Sequence, residues 1–238
     1  MNGGASVGIL MLDTQFPRIP GDIGNAASFS FPVQYRIVPG ATPEAIVRRD
    51  PTLLVQDFIA AGRDLVVMGC DGIVTTCGFL TLLQADLAKA LGVPVATSAL
   101  MQTPMIAATL PPGRHVSILT ISADDLSPAH LAAAQVPEGT PVMGSDPNGA
   151  FARTILGDQP QLDVEACRAD LMAAAERLIQ AHPQTGAVLL ECTNMVPYAA
   201  DISRAIGRPV FSVHTLLTWF QAGLRPQRFA EDPPDPPV

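Results

Sequence analysis

The sequence predicts an α/β protein of two pseudo-symmetric lobes, each a parallel sheet, with a cleft between them. Three observations carry this. Short apolar runs alternate with helix-like segments along the whole chain, a pattern that parallel sheets covered by helices produce. The pattern starts over near residue 112, at Pro111-Pro112-Gly113. Two cysteines, Cys77 and Cys192, stand at matched places in the two halves, and Gly92 and Gly207 follow them by fifteen positions each.

In the first half, Val7 to Leu12 is a continuous apolar run, which fits a strand buried on both faces. Residues 13–30 form a long loop with Pro17, Pro20, Gly21 and Gly24, and a loop of that length in a compact domain is commonly functional. Val33 to Val38 is a second strand. Pro51 to Met68 is a helix, since Leu54, Phe58, Ala61, Leu65 and Met68 recur at spacings of three and four. Ile73 to Thr76 is a short strand ending at Cys77. Thr81 to Leu91 is a helix, Val93 to Thr97 a strand and Leu100 to Leu110 a helix, with Pro104 near its start, where proline is tolerated.

In the second half, Val116 to Ile121 repeats the first strand, with Ser122-Ala123-Asp124 in the place of Asp13-Thr14. Ala129 to Gln135 is a helix and Pro141 to Gly144 a strand. Asp163 to Ala181 is a helix with Leu171, Ala175, Leu178 and Ile179 turned inward. Gly186 to Glu191 is a strand ended by Cys192. Met195 to Ile206 is a helix, Pro209 to Val213 a strand and Leu216 to Ala222 a helix.

Composition bounds the function. Of 238 residues, 48% are hydrophobic and 15% charged, which excludes a disordered chain. A net charge of −8 repels phosphate backbones, so no nucleic-acid partner is expected. Met1 to Ser6 has no basic stretch before an apolar one, and no eighteen-residue apolar span occurs. Neither a secretory signal nor a membrane span is therefore expected. A cytoplasmic setting follows, with Cys70, Cys77, Cys167 and Cys192 reduced. No Cys-x-x-Cys pair or histidine cluster is present, so no metal site is expected. The acidic, proline-rich Glu231 to Val238 reads as a frayed tail.

Ligands bind beyond the carboxyl ends of parallel strands, and Asp13, Cys77 and Cys192 all occupy such ends. Two opposed acid/base groups suit proton transfer at carbon. Cys77 precedes Gly78 at a strand-to-helix junction, where amide groups favour a thiolate. Cys192 makes the same case with Thr193-Asn194 after it. Cys70 and Cys167 read as packing residues. Asp13 is either a cap or a carboxylate that handles the Cys77 proton. Glu191, out of place in an apolar run, reads as a strand-end residue bonded to loop amides or as a partner for Arg18. Arg18 and Asn25 are candidates to grip a substrate carboxylate, and Phe79 is either a wall of the pocket or core. His214, at another strand end, can reach the cleft; His115, His130 and His182 carry no signal.

The pair Thr76-Cys77-Gly78-Phe79 and Glu191-Cys192-Thr193-Asn194, on duplicated α/β halves, resembles the aspartate/glutamate racemase superfamily. That group includes amino-acid racemases, hydantoin racemases, maleate isomerases and arylmalonate decarboxylases. The resemblance covers nearly the whole chain. It implies that residues after about 214 fold back onto the first half, giving lobes of 1–100 plus 214–238 and of 101–213. It implies a cofactor-independent isomerase, a racemase of an amino acid or related small anionic carboxylate, with Cys77 and Cys192 exchanging the α-proton. It assigns carboxylate binding to Thr76, Thr193 and Asn194, with Asp13 as the acidic residue of the first strand and Thr14 beside it. Gly78-Phe79 departs from the Asn-Thr that usually follows the first cysteine, and Asn194 from the usual histidine or glutamate. Isomerisation or decarboxylation at the same site, or ligand binding without catalysis, are the alternatives. A homodimer is the default for such a soluble enzyme.

Overall fold

A computed structural model describes residues 4–226 of the chain; the tail from Glu231 lies outside them. The first sheet comprises β1 (Val7–Leu12), β2 (Val33–Val38), β3 (Gly72–Thr75) and β4 (Val95–Ala96). The second comprises β5 (His115–Thr120), β6 (Val142–Gly144), β7 (Thr185–Leu190) and β8 (Val210–Phe211). Every pairing is parallel, and the orders β2-β1-β3-β4 and β6-β5-β7-β8 are the same order repeated. The expected duplication is therefore a duplication of topology.

The central strands are dry on both faces. Val7, Ile9 and Leu10 in β1 and Ala187 to Leu190 in β7 are fully buried. A parallel sheet flanked by helices imposes this, and each such aliphatic side chain contributes about 1.5–3 kcal/mol by leaving water. Helix α1 (Val55–Val67) covers the first sheet with Phe58, Ala61 and Leu65, the face that the three-and-four spacing picks out. Asp50 caps the turn that leads into it, accepting from the Thr52 amide. Helix α6 (Val164–Ala181) covers the second sheet with Leu171, Ala175 and Leu178 and is capped by Asp163.

Helices α2 (Gln84–Leu91) and α7 (Ala199–Ile206) follow the two cysteines. Each ends on a left-handed glycine, Gly92 at φ 69° and Gly207 at φ 61°, a conformation that glycine adopts without strain. The matched fifteen-residue spacing is thus the length of one strand-end turn plus one capped helix. Neither helix starts as an α-helix. A tighter 3₁₀ segment comes first, Gly78–Leu83 and Thr193–Tyr198.

Several features depart from the sequence reading, among them the strand expected over Val93 to Thr97, which is only Val95–Ala96, and an unforeseen helical turn at Glu44–Arg48. Residues 150–156 form a helix, α5 (Ala150–Leu156), that buries Phe151 and Ile155. The helix expected over Leu100 to Leu110 is a 3₁₀ turn followed by α3 (Thr103–Thr109). The strand expected over Pro209 to Val213 is two residues long, and α8 (Val213–Leu224) starts at once. Helix α8 lies against β3, because the space above Gly72 is filled by Phe220 and Leu224. Its Arg225 also pairs with Asp71 through two hydrogen bonds. The short helix α4 (Pro128–Ala133) carries His130 against Phe79 of the other lobe, with ring centroids 5.1 Å apart.

Candidate active site

The carboxyl ends of β3 and β7 face one another, and the 3₁₀ segments after them close a cavity between the sheets. Its wall holds Cys77, Gly78 and Phe79 from one lobe and Glu191, Cys192, Thr193 and Asn194 from the other, with Arg18, Phe16 and Thr76 beside them. The cavity holds about 370 Å³ of atom-free space, of which about 20 Å³ can take the centre of a water molecule. That is room for about one water, so the site is narrow as it stands.

The two thiols share the cavity but not the same surroundings. The tight turn after Cys77 brings the Phe79 and Leu80 amides near its sulfur, where they favour the charged form, although the Leu80 N–H itself donates to the Cys77 carbonyl at 3.2 Å. Cys192 receives the Asn194 amide and also donates its S–H to Asn194 Oδ1 at 3.6 Å. The Asn194 side chain cannot turn around, because its Nδ2 donates to Asp22 Oδ2 at 2.6 Å. Both sulfurs have amides nearby, but Cys192 is held as a thiol by a fixed acceptor, whereas no acceptor for the Cys77 S–H is found among the described residues.

Glu191 is the unexpected member. It is 1% exposed, and its Oε2 accepts from Thr120 Oγ1 at 2.7 Å. Its Oε1 has no hydrogen-bond partner among the described residues. It bonds neither to loop amides nor to Arg18, the two roles the sequence suggested. The carboxyl lies over Gly78, where an added Cβ would sit 2.2 Å from Oε1. Glycine at 78 is what lets the carboxyl of one lobe reach the cysteine loop of the other.

Burial governs the protonation of all three groups. It pushes Cys77 up to about 12, with the Glu191 charge adding to it and the Phe79 amide, Arg18 and the Leu80 amide opposing. It pushes Cys192 well above the usual thiol range, and the Glu191 charge adds again. It raises Glu191 to about 7, against the Thr120 hydrogen bond.

Arg18 reaches the cavity from the long loop, as expected. Its Nη1 donates to Asp22 Oδ1 and its Nη2 to Thr14 Oγ1, both at 3.0 Å. Its guanidinium stacks over Phe16 at 4.8 Å, and its buried Nε has no partner among the described residues. Thr14 and Asn25 do not line the cavity. They hold Arg18, Asn25 by donating to the Arg18 carbonyl at 2.8 Å. Thr76 and Thr193 line it, yet Thr193 Oγ1 donates to the Thr76 carbonyl across the lobes at 2.7 Å. Thr76 Oγ1 accepts the Leu12 amide at 3.0 Å.

Asp13 is not brought to the site. Neighbours on a strand point to opposite faces, so Leu12 enters the cavity wall while Asp13 is exposed and accepts from the Gly40 amide. His214 stacks on Phe29 and bonds to the Ser28 carbonyl instead of lining the cavity. Asp22, which fixes both Arg18 and Asn194, was missed, although its i,i+4 spacing from Arg18 is a legible pairing signal. Among the described residues no cluster of three or more His, Cys, Asp or Glu is placed to hold a metal ion. None of the described helices is long and apolar enough to cross a membrane.

No protein-family model matches the chain. It is 27% identical to a dimethylsulfoniopropionate lyase of Durusdinium sp. clade D over 92% of its own length and 75% of the relative's. It is 30% identical to dimethylsulfoniopropionate lyase 6 of Emiliania huxleyi strain CCMP1516, again over 92% of its own length but 60% of the relative's. Among solved structures it superposes on arylmalonate decarboxylase with a TM-score of 0.62, 17% identity and 92% of both chains covered. It superposes on allantoin racemase from Pseudomonas fluorescens at 0.59 and 17%, covering 92% of this chain and 90% of that one. On glutamate racemase from Aquifex pyrophilus the values are 0.54 and 14%, covering 90% and 83%. The chain shares its fold with arylmalonate decarboxylase, allantoin racemase and glutamate racemase, the kind of fold the cysteine motifs implied.

The expected activity needs correction. The motifs implied an isomerase that racemises an amino acid, but the sequence relatives are named lyases. The error has a chemical source. Removal of a proton beside a carboxylate begins racemisation and elimination alike, and paired thiols in a motif do not reveal which bond breaks next.

Proposed function

We infer, for a chain with this racemase-like fold and with dimethylsulfoniopropionate lyases as sequence relatives, that it is itself a lyase. It expels a thioether from the β-carbon of a small carboxylate, and dimethylsulfoniopropionate is the substrate to test first. The observation that carries the reading is the inequality of the two thiols within one narrow cavity: Cys192 donates to the fixed Asn194 acceptor, and Cys77 has no such acceptor among the described residues.

In dimethylsulfoniopropionate the carbon next to the carboxylate bears protons, and the next carbon bears a positively charged sulfur. Loss of one α-proton and cleavage of the C–S bond give acrylate and dimethyl sulfide. The leaving sulfur takes the bonding electron pair and departs neutral. Such an elimination needs one base at carbon and no proton donor there. Cys77 is that base. Its sulfur accepts the α-proton while the Phe79 and Leu80 amides steady the charge it carries beforehand. A sulfonium bound near Glu191 adds a positive charge to a buried site, which lowers the cost of the Cys77 thiolate.

Arg18 offers its unpartnered Nε–H to the substrate carboxylate, where negative charge grows as the α-proton leaves. Cys192 keeps its proton, donated to Asn194 Oδ1, and so adds no second negative charge to the cavity. Phe16 and Phe79 exclude water, which strengthens each of these contacts.

The test is headspace detection of dimethyl sulfide and NMR of acrylate from the purified chain with dimethylsulfoniopropionate. Equal amounts of both are expected. Cys77→Ala is expected to cut the rate by about 100-fold or more, the range a lost general base costs. No thioether release from this or any other β-sulfonium carboxylate would remove the reading.

A further inference from the structure

We propose that Glu191 is the proton acceptor for the Cys77 thiol, so that carboxylate and sulfur share one negative charge inside the narrow cavity. The proposal gives the elimination its active base and rests on that reading for its purpose. The proton sharing itself is a property of the protein without substrate.

The geometry supports it in three ways. The Glu191 carboxyl crosses from its own lobe to lie over Gly78, the residue after Cys77. One of its oxygens is fixed by Thr120, and the other is buried and free to take a proton. Both groups line the same cavity, which has room for about one water. Two full negative charges enclosed there repel strongly. One charge that can sit on either atom does not incur that cost, and the amides of Phe79 and Leu80 are already in place for the moment it sits on sulfur.

The step balances. The Sγ–H bond of Cys77 breaks and an O–H bond forms at Glu191 Oε1, with the charge of the site unchanged. The proton is relayed by the one water the cavity can take, since sulfur and carboxyl are not in direct hydrogen-bond contact. When the thiolate then takes the α-proton of a substrate, Glu191 is left protonated. Release of that proton to solvent restores the resting pair.

The other charged and titratable groups facing this pair are Cys192, Arg18 and Asp22. His130 stands behind Phe79, and burial keeps it toward its neutral form. Burial of the Glu191 carboxyl raises it to about 7, so the shared charge appears near neutral pH. A second ionisation follows far higher. Interacting groups titrate in this way, as a pair with two separate steps.

The test is the pH profile of Cys77 alkylation by iodoacetamide, read by peptide mass spectrometry, with buried Cys70 and Cys167 as internal controls. The natural chain is expected to show a first reactivity step close to pH 7 and a second at high pH. Glu191→Gln should lose the first step and react at least tenfold more slowly at pH 8. If Glu191 only repels the thiolate, Glu191→Gln reacts as fast or faster, and the proposal is overturned. Thr120→Val provides a second variant that keeps the carboxyl. It removes the hydrogen bond that favours the charged form, so the first step should move to higher pH. An unmoved step there also overturns the proposal. The lyase reading is judged separately: a two-step profile without thioether release refutes the lyase alone. Thioether release with an unchanged Glu191→Gln profile refutes the proton sharing alone.

Discussion

A carboxyl at a strand end normally faces water, and Glu191 does not. Its pKa rises from the ordinary 4.5 to about 7 because burial disfavours its charge. The folded protein therefore binds the Glu191 proton more tightly than the unfolded chain does. The stability this gives is present below about 4.5 and is lost as pH rises through about 7. Glu191→Gln imitates the protonated form. It should match the natural chain at pH 4.5 and exceed it at pH 8 by on the order of 3 kcal/mol, read by denaturant unfolding at both values. Equal differences at the two pH values would contradict this. Gly78→Ala should cost about 1–3 kcal/mol of stability and most of the activity, because the added Cβ meets the Glu191 main-chain oxygen at 2.8 Å as well as its carboxyl. Retention of parental unfolding and turnover in Gly78→Ala would show that the carboxyl can move aside without consequence. From sequence, both cysteines were legible as site residues because each stands at a strand end in a repeated setting. Glu191 was visible as an anomaly, but what it touches comes from the other half of the chain and leaves no mark on its own neighbours.

At the scale of elements, two segments build the site. The 3₁₀ turns after β3 and β7 are tighter than α-helical turns, and they bring amides near the sulfurs. The sequence predicted helices there and not their first turns, since 3₁₀ and α share the same residue preferences over so short a run. The loop of residues 13–30 supplies Arg18 and Phe16 and reaches across to the second lobe. There the Gln15 amide donates to Asp158 Oδ1 at 2.7 Å, and the Phe16 amide to the same oxygen at 3.4 Å. The loop thereby supplies one wall of the cavity and is tied to the second lobe. Asp158→Ala should speed amide exchange at Gln15 and Phe16 and lower kcat/KM for thioether release by about tenfold, the effect of about 1.4 kcal/mol of lost positioning. Unchanged exchange at both amides would show that Asp158 does not hold the loop. Helix α5, which packs under this contact, was hidden because Asp146-Pro147-Asn148-Gly149 reads as a turn and only Phe151 and Ile155 mark an inward face.

At the scale of the whole molecule, duplication made the fold legible. Buried parallel strands leave long apolar runs, and glycine-capped helices repeat at fixed spacing, so topology is written in local pattern. The activity is written differently. In the proposed elimination it depends on which thiol keeps its proton, and the groups argued to decide that are Asp22 orienting Asn194 and Glu191 lying over Gly78, both contacts between the lobes. No single stretch of sequence contains either. The paired cysteines alone therefore pointed to the racemase expectation, which the lyase names of the sequence relatives overturned. The account now rests on Cys77 removing an α-proton in the step that releases the thioether. The rate of dimethyl sulfide release from dimethylsulfoniopropionate deuterated at the α-carbon, against the undeuterated compound, tests this most directly. A primary isotope effect in the natural chain, with release lost in Cys77→Ala, is the predicted result. Release that persists in Cys77→Ala, or that proceeds in the natural chain with both α-deuterium atoms retained in the carboxylate product, would contradict it.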